Sequence, residues 1–264
     1  MSIIEALVLG VVQGITEFLP VSSSGHLVLL QKIFGIEESA LLFDTMVHVG
    51  TLAAVCTVLW KEIWAILKKP VQPLTLYLII ATIPAVLFAL LLKNRIEEAF
   101  VTGTFLGFCF LITSALLLLA EFLSKNKAKK PGEQMKWHDA AIIGVSQAIA
   151  IVPGISRSGA TISGALFRRF DRDFAAKFSF LLCIPAILGA LVMQLKDIAG
   201  RTVSDSISVA PIIIGTLSAA VVGFFAVKFM IKIIREKSLL GFSIYTAVLG
   251  IFILIDRFGT HFWF

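Results

Sequence analysis

The sequence predicts an all-α polytopic membrane protein, an inverted-topology repeat in which each half has one re-entrant helix hairpin plus three transmembrane helices. Three observations predict it. The 264 residues are 58% hydrophobic and only 15% charged, with a mean hydropathy of +0.96, whereas soluble domains carry roughly 25% charged residues. Six apolar runs, near 42–60, 74–92, 103–123, 174–195, 208–231 and 239–256, approach the ~20 residues that a helical span needs. Two other regions, 3–34 and 138–168, each hold two shorter apolar arms around a polar break, and the two breaks resemble each other.

In chain order, "MSIIEALVLG" has no basic leader, carries Glu5 and shows no small-residue cleavage site, so it is expected to be part of the mature fold. The first hairpin, 3–34, breaks at "LPVSSSG", where Pro and small polar residues let a helix stop and restart. With the first three spans it makes a first repeat, 1–124. A basic linker follows at 125–136, within "SKNKAKKPGEQMK". The second repeat, 137–264, opens with hairpin 138–168, broken at "VPGISRSG", and continues through the last three spans. Trp60, Trp64 and Trp137 flank spans as interfacial aromatics do. Cys56, Cys109 and Cys183 stand singly in apolar runs, without metal or redox spacing, and read as small core fillers.

The repeat is visible without a gap. With a shift of 134 residues, "GVVQGITEFLPVSSSGHLV" lies over "GVSQAIAIVPGISRSGATI", and seven of 19 positions are identical, including Gln13/Gln147, Ser22/Ser156, Ser24/Ser158 and Gly25/Gly159. Three spans per repeat is an odd number, so the second copy is inverted, and a site is expected where the repeats meet near the bilayer midplane. Of the 23 Lys and Arg, sixteen then fall on one face, six on the other, and Arg157 is internal. The richer face is expected to be cytoplasmic, with both termini outside, the first hairpin entering from outside and the second from the cytoplasm. Basic residues confined to short loops point to a membrane surface and no nucleic acid.

The polar residues at the breaks carry the chemistry. Glu17 and Arg157 are ionisable groups inside apolar arms, each costing at least about 2.5 kcal/mol at the midplane, so they line a polar cavity, hold a ligand or pin the hairpins together as an ion pair. Ser22, Ser23 and Ser24, and Ser156 and Ser158, sit where each second arm restarts. Free N–H groups and a partial positive charge at those helix starts, with Arg157 between them, make an anion site suited to phosphate. Capping is the ordinary role of serine there. Thr161 is one turn beyond Arg157. Gly25 and Gly159 are expected to let backbone approach the ligand. Glu17 and Gln13, spaced i and i−4, offer oxygens for Mg²⁺ or Ca²⁺. His26, one turn into its arm, suits proton transfer. Asp44 and His48 share a helix face at i, i+4, with Thr51 nearby; they rank lower, expected either to border the cavity or, more readily, to form a buried structural pair. Glu121 is expected to reach to the interface.

These residues carry a resemblance. "QGITEFLPVSSSGH" is similar to the (E/Q)xxxE signature region, and "PGISRSGAT" to PGxSRSGxT, of the bacterial undecaprenyl-diphosphate phosphatase family linked to bacitracin resistance. The resemblance implies a multi-pass enzyme of the bacterial cytoplasmic (inner) membrane, its site facing the periplasm, that hydrolyses undecaprenyl diphosphate to undecaprenyl phosphate and so recycles the lipid carrier of cell-wall synthesis. It implies a divalent cation, Mg²⁺ or Ca²⁺, and carries family roles onto Gln13, Glu17, Ser22, Ser23, His26, Ser156, Arg157, Ser158 and Thr161. Gln13 departs from the carboxylate of many members and leaves Glu17 as the main metal ligand. The acid-phosphatase-like lipid phosphatases are excluded: the chain has no Arg-Pro dipeptide, and Ser163 stands where their histidine is required.

The expected reaction is metal-assisted phosphoryl transfer, with Glu17, Ser23, His26 and Arg157 as the catalytic set. Ser23, His26 and a metal-bound water all fit the nucleophile, and Ser23 with His26 as proton acceptor is the preferred pair. The expected partners are undecaprenyl diphosphate and membrane lipid, with a homodimer left open. The competing reading is a lipid-phosphate flippase or small-anion transporter on the same repeat.

Overall fold

A computed structural model describes residues 1–36, 41–124, 129–199 and 209–264; the start of the basic linker, 125–128, and Arg201 lie outside the described residues. α1 (Ile3–Thr16) opens on a capping box in which Ser2 and Glu5 exchange side-chain-to-backbone hydrogen bonds. The chain turns through Pro20 and restarts as α2 (Ser23–Ile33), capped by Ser22. α3 (Leu41–Val58) meets α4 (Trp60–Lys68) at a bend of 78°. α5 (Pro73–Leu91) starts on a proline, which needs no backbone donor there. α6 (Lys93–Thr102) ends at Gly103 with φ +61°, a left-handed stop. α7 (Leu106–Ser124) completes the first half. The second runs α8 (Trp137–Ile149), α9 (Arg157–Phe167), α10 (Arg172–Ala199), α11 (Val209–Glu236) and α12 (Leu240–Ile255).

The chain is a multi-pass, all-helical membrane protein. α5, α7, α10, α11 and α12 are long and apolar enough to cross a bilayer, and α3 with α4 makes a sixth crossing if the bent pair counts as one. The run expected at 42–60 stops at Val58. Beyond it α4 buries no residue and carries Trp60, Lys61, Trp64 and Lys68, as a helix lying in the interface does. α6 fills a stretch that hydropathy left as a connection. The hairpin arms are too short to span: α1, the longest, has 14 residues, about 21 Å at 1.5 Å per residue against a hydrocarbon core of about 30 Å.

Each arm that precedes a break packs on a helix of the other half: α1 lies along α11, and α8 along α5. Gly10 and Gly144, identical in the self-alignment, sit at these two crossings and let the backbones meet closely. α12 lies along α7, and α3 fills the space between α11 and α10. The largest apolar cluster gathers Phe18, Ile143, Ile162, Phe178, Phe180 and Leu182, with Phe18 edge-on to Phe180 at 5.7 Å. Phe18 thereby anchors the residue next to Glu17. Cys109 and Cys183 are buried free thiols and Cys56 is half-buried, as core fillers should be.

Glu121, near the end of α7, is half-buried: its carboxylate accepts from Arg172 at 2.6 Å and from the Leu239 N–H at 3.0 Å, joining α7, α10 and the start of α12.

Asp139, at the start of α8, is fully buried and accepts from Lys130 at 2.9 Å, Arg168 at 2.6 Å and the Lys136 N–H at 3.1 Å. Burial works to raise its carboxyl, and the Lys130 and Arg168 side chains with the Lys136 N–H overcome it, leaving the group below the ordinary aspartate value. A lowered folded value contributes stability above the unfolded pKa of about 3.9 and loses it as pH falls through the folded value. Asp139→Asn is therefore expected to lower stability at pH 7 by about 1–3 kcal/mol. Thermal unfolding in detergent should show the gap to the parent protein closing as pH falls below the unfolded value.

Candidate active site

The two hairpin tips touch. Glu17 closes α1, and its Oε1 accepts from the Arg157 guanidinium at the first residue of α9. Ser158 Oγ donates to the Leu19 carbonyl at 2.9 Å. Gly25 of α2 faces Gly154 of the second tip so closely that a Cβ on Gly25 would stand 2.9 Å from the Gly154 Cα and 2.7 Å from the Phe110 ring. The approach expected between Gly25 and a ligand is thus an approach between the tips. Gly159 likewise faces its own Ser156 and Pro20 of the first tip.

Glu17 is the hub. Its side chain is 2% exposed, against 22% for Arg157. Oε2 accepts from Gln13 Nε2 at 2.9 Å and from Ser23 Oγ at 2.5 Å. Each contact follows from local structure: Gln13 is one turn back on α1, and Ser23 begins α2, which the turn at Pro20 folds back against the end of α1. His48 of α3 brings its Nε2 to 3.7 Å from the same oxygen. Its Nδ1 lies 2.6 Å from the Asp44 main-chain oxygen, while the Asp44 carboxylate accepts from Gln31 at 2.8 Å. His48 is therefore turned to Glu17 and not paired with the Asp44 side chain. Sequence reasoning ranked it below the hairpin residues; its i, i+4 spacing from Asp44 was the available signal.

The serines divide by what they hold. Ser22 and Ser156 cap α2 and α9 through the Gly25 and Gly159 N–H groups, at 3.3 and 3.0 Å. Ser158 spends its hydroxyl on Leu19, and Thr161 lies 2.6 Å from Ser179 Oγ of α10. Ser23, Ser24 and Arg157 are half-buried and are the polar groups of the tips left open. Ser22 has φ +72°, a left-handed conformation costly to serine by about 1–3 kcal/mol. Held there, its carbonyl accepts from the His26 main-chain N–H at 3.2 Å and lies 2.6 Å from the His26 Nδ1.

His26 is placed apart from the expected pair. Its Nε2 lies 2.7 Å from the Tyr245 hydroxyl of α12, while the partner of the Ser23 hydroxyl is Glu17. Thr113 of α7 also escaped notice: it donates to the Gly154 carbonyl and accepts from the Ser156 N–H, holding the second tip in place. Neither Tyr245 nor Thr113 has a local motif, and each is brought in by tertiary packing.

A divalent cation fits this set. Gln13 Oε1 is buried without a hydrogen-bond partner, beside a carboxylate. Hard cations take such oxygens, and Mg²⁺ commonly binds through one or two protein groups plus phosphate oxygens. Gln147 Oε1 is also unpartnered, but Ile151 stands there at the position equivalent to Glu17. Among the described residues no group of three His, Cys, Asp or Glu could hold a metal, so phosphate oxygens would complete the shell.

Fold and site together define a polytopic membrane protein whose two short-helix hairpins meet tip to tip in an ion pair, and ionisable groups within apolar helices mark a functional site. The chain belongs to the family described as bacitracin resistance protein BacA, which it matches over residues 6–252. It is 50% identical over 256 residues to an undecaprenyl-diphosphatase of Carboxydothermus hydrogenoformans, covering 97% of each chain. It is 47% identical over 259 residues to undecaprenyl-diphosphatase 4 of Bacillus thuringiensis subsp. konkukian, covering 98% of each. An undecaprenyl-diphosphatase of Halothermothrix orenii is 42% identical over 258 residues, covering 97% of this chain and 98% of its own.

Proposed function

We infer that this chain is an undecaprenyl-diphosphate phosphatase that releases inorganic phosphate and returns undecaprenyl phosphate, recycling the lipid carrier and conferring bacitracin resistance. The observation that carries the reading is the Glu17 carboxylate shared by Arg157 and Ser23 between the tips. The near full-length likeness to relatives named for this activity supports it.

The residues act as follows. Arg157 exchanges its bond to Glu17 for the phosphate oxygens, where its planar fork binds two at once. The N–H groups at the starts of α2 and α9 add to that anion site. Ser23 attacks the terminal phosphorus as its proton passes to Glu17, and the bond to the bridging oxygen breaks. Water then cleaves the phosphoserine, and Glu17 returns its proton to the departing Ser23 oxygen. Glu17 and Gln13 would hold Mg²⁺ or Ca²⁺, which supplies neutralisation of diphosphate charge. The shared carboxylate makes Ser23 with Glu17 the pair this geometry favours, in place of Ser23 with His26. The prenyl chain stays in lipid, and the site opens to the outer face of the cytoplasmic membrane.

The inverted repeat is part of this proposal, supported by the exchanged packing of α1 on α11 and α8 on α5. That exchange also favours a second reading, movement of the lipid product between leaflets. Purified protein in detergent, supplied with a C55 diphosphate, should release phosphate with Mg²⁺ or Ca²⁺ and stop on chelation. No release under any cation would leave only the carrier. In reconstituted vesicles, product confined to one leaflet would remove the second reading.

A further inference from the structure

His26 is buried, and its surroundings dictate where its protons sit. Nδ1 lies 2.6 Å from the Ser22 carbonyl oxygen. A carbonyl only accepts, so Nδ1 carries a hydrogen. In the neutral ring Nε2 then holds a lone pair, and the partner recorded for it is the Tyr245 hydroxyl at 2.7 Å, which must donate. The two rings are parallel within 6°, their centroids 5.7 Å apart, and Phe110 meets the imidazole edge-on at 5.4 Å. Ring plane, tautomer and hydrogen-bond direction are thus all fixed, by groups from α2, α7 and α12.

Tyr245 lies within an apolar helix, yet its hydroxyl is spent on a residue 219 positions away. The residue is 47% exposed, whereas His26 is 7% exposed. The imidazole therefore has no open edge of its own, and the Tyr245 hydroxyl stands between its basic nitrogen and the surroundings.

We propose that Tyr245 is a positioning residue for His26: its hydroxyl, donated to Nε2, fixes the ring plane and the Nδ1-protonated tautomer in which His26 serves phosphate release. The inference rests on the phosphatase reading.

Tyr245→Phe keeps the stacked ring and removes only the hydroxyl. It should lower kcat about tenfold with KM within about twofold, because the hydroxyl acts on turnover through His26 and not on substrate binding. In a His26→Gln background the same change should have no further effect, because residues acting as one unit are not additive. Full kcat in Tyr245→Phe, a gain in kcat, or effects that multiply in the double variant would each overturn the proposal. A readout independent of turnover is the histidine ¹⁵N spectrum of the full chain, with His26 assigned by its loss in His26→Gln. The Nδ1-protonated tautomer is expected in the parent protein, and the Nε2-protonated tautomer would overturn it. If the parent released no phosphate, the phosphatase reading would fail, while the spectrum would still report on the His26–Tyr245 bond.

Discussion

Glu17→Gln should lower phosphate release about 10³-fold while leaving the protein folded. The size follows from two losses on one side chain. Ser23 loses the acceptor for its proton, and general-base catalysis is worth about 10²–10⁴-fold. Arg157 loses the carboxylate that aims it across the tips, and misplacing one preorganised charge costs a further 10²–10³-fold. The losses overlap, since both act through the same carboxylate, so they do not multiply. An amide has the shape of the carboxylate and can still meet Gln13, Ser23 and Arg157, but it has no negative charge to give them. Folding should survive because Arg157, partly exposed, can turn to the polar opening, which spares it the cost of about 3–5 kcal/mol that a fully enclosed orphan charge incurs. The cation response is the second readout: with neutral amide oxygens alone left on this face of α1, activation should require far more Mg²⁺ or Ca²⁺. Arg157→Ala should be comparably inactive, and the double variant little worse than either single one. Glu17→Gln retaining more than a tenth of parental activity would leave the proposed chemistry without its central group.

How much of this was legible in the sequence follows from the kind of signal each feature leaves. Hydropathy placed the long helices, because a span must be apolar over its whole length. It could not place α4 or α6, whose mixed composition suits an interface and looks like a loop to any running average. The breaks were legible because Glu17, Arg157 and the serines are costly in lipid and therefore conspicuous. What each serine does was not legible. Ser22 and Ser23 are adjacent in sequence, yet one caps a helix from a left-handed conformation and the other donates to Glu17. The partners of His26 and the second tip, Tyr245 and Thr113, come from remote helices, and no spacing rule reaches across the fold to them.

Gly14→Leu is the second large effect expected, and it tests how the tips are brought together. Gly14 lies on α1, three residues before Glu17, where α1 presses on α11. A Cβ there would stand 2.9 Å from the Ala219 carbonyl oxygen, 2.9 Å from the Gly223 nitrogen and 2.9 Å from the Val222 Cβ. Two of these are main-chain atoms of a continuous helix, with no flexible side chain to swing aside. A leucine can be accommodated only if α1 moves off α11, and Glu17 moves with it. Overpacking of this kind costs about 1–3 kcal/mol, so much of the protein should still fold. A shift of about 1 Å in a catalytic group costs about 10²-fold in rate, so activity should fall at least that far, well beyond the change in melting temperature. Gly241→Ala is the matched control, because nothing lies within 4 Å of a Cβ at that position near the start of α12. Parental turnover in Gly14→Leu would mean that Glu17 keeps its place without the α1–α11 contact. The tips would then have to be held by their own bonds, Ser158 to Leu19 and Arg157 to Glu17, and the packing of the arms would be a consequence of the site and not its support.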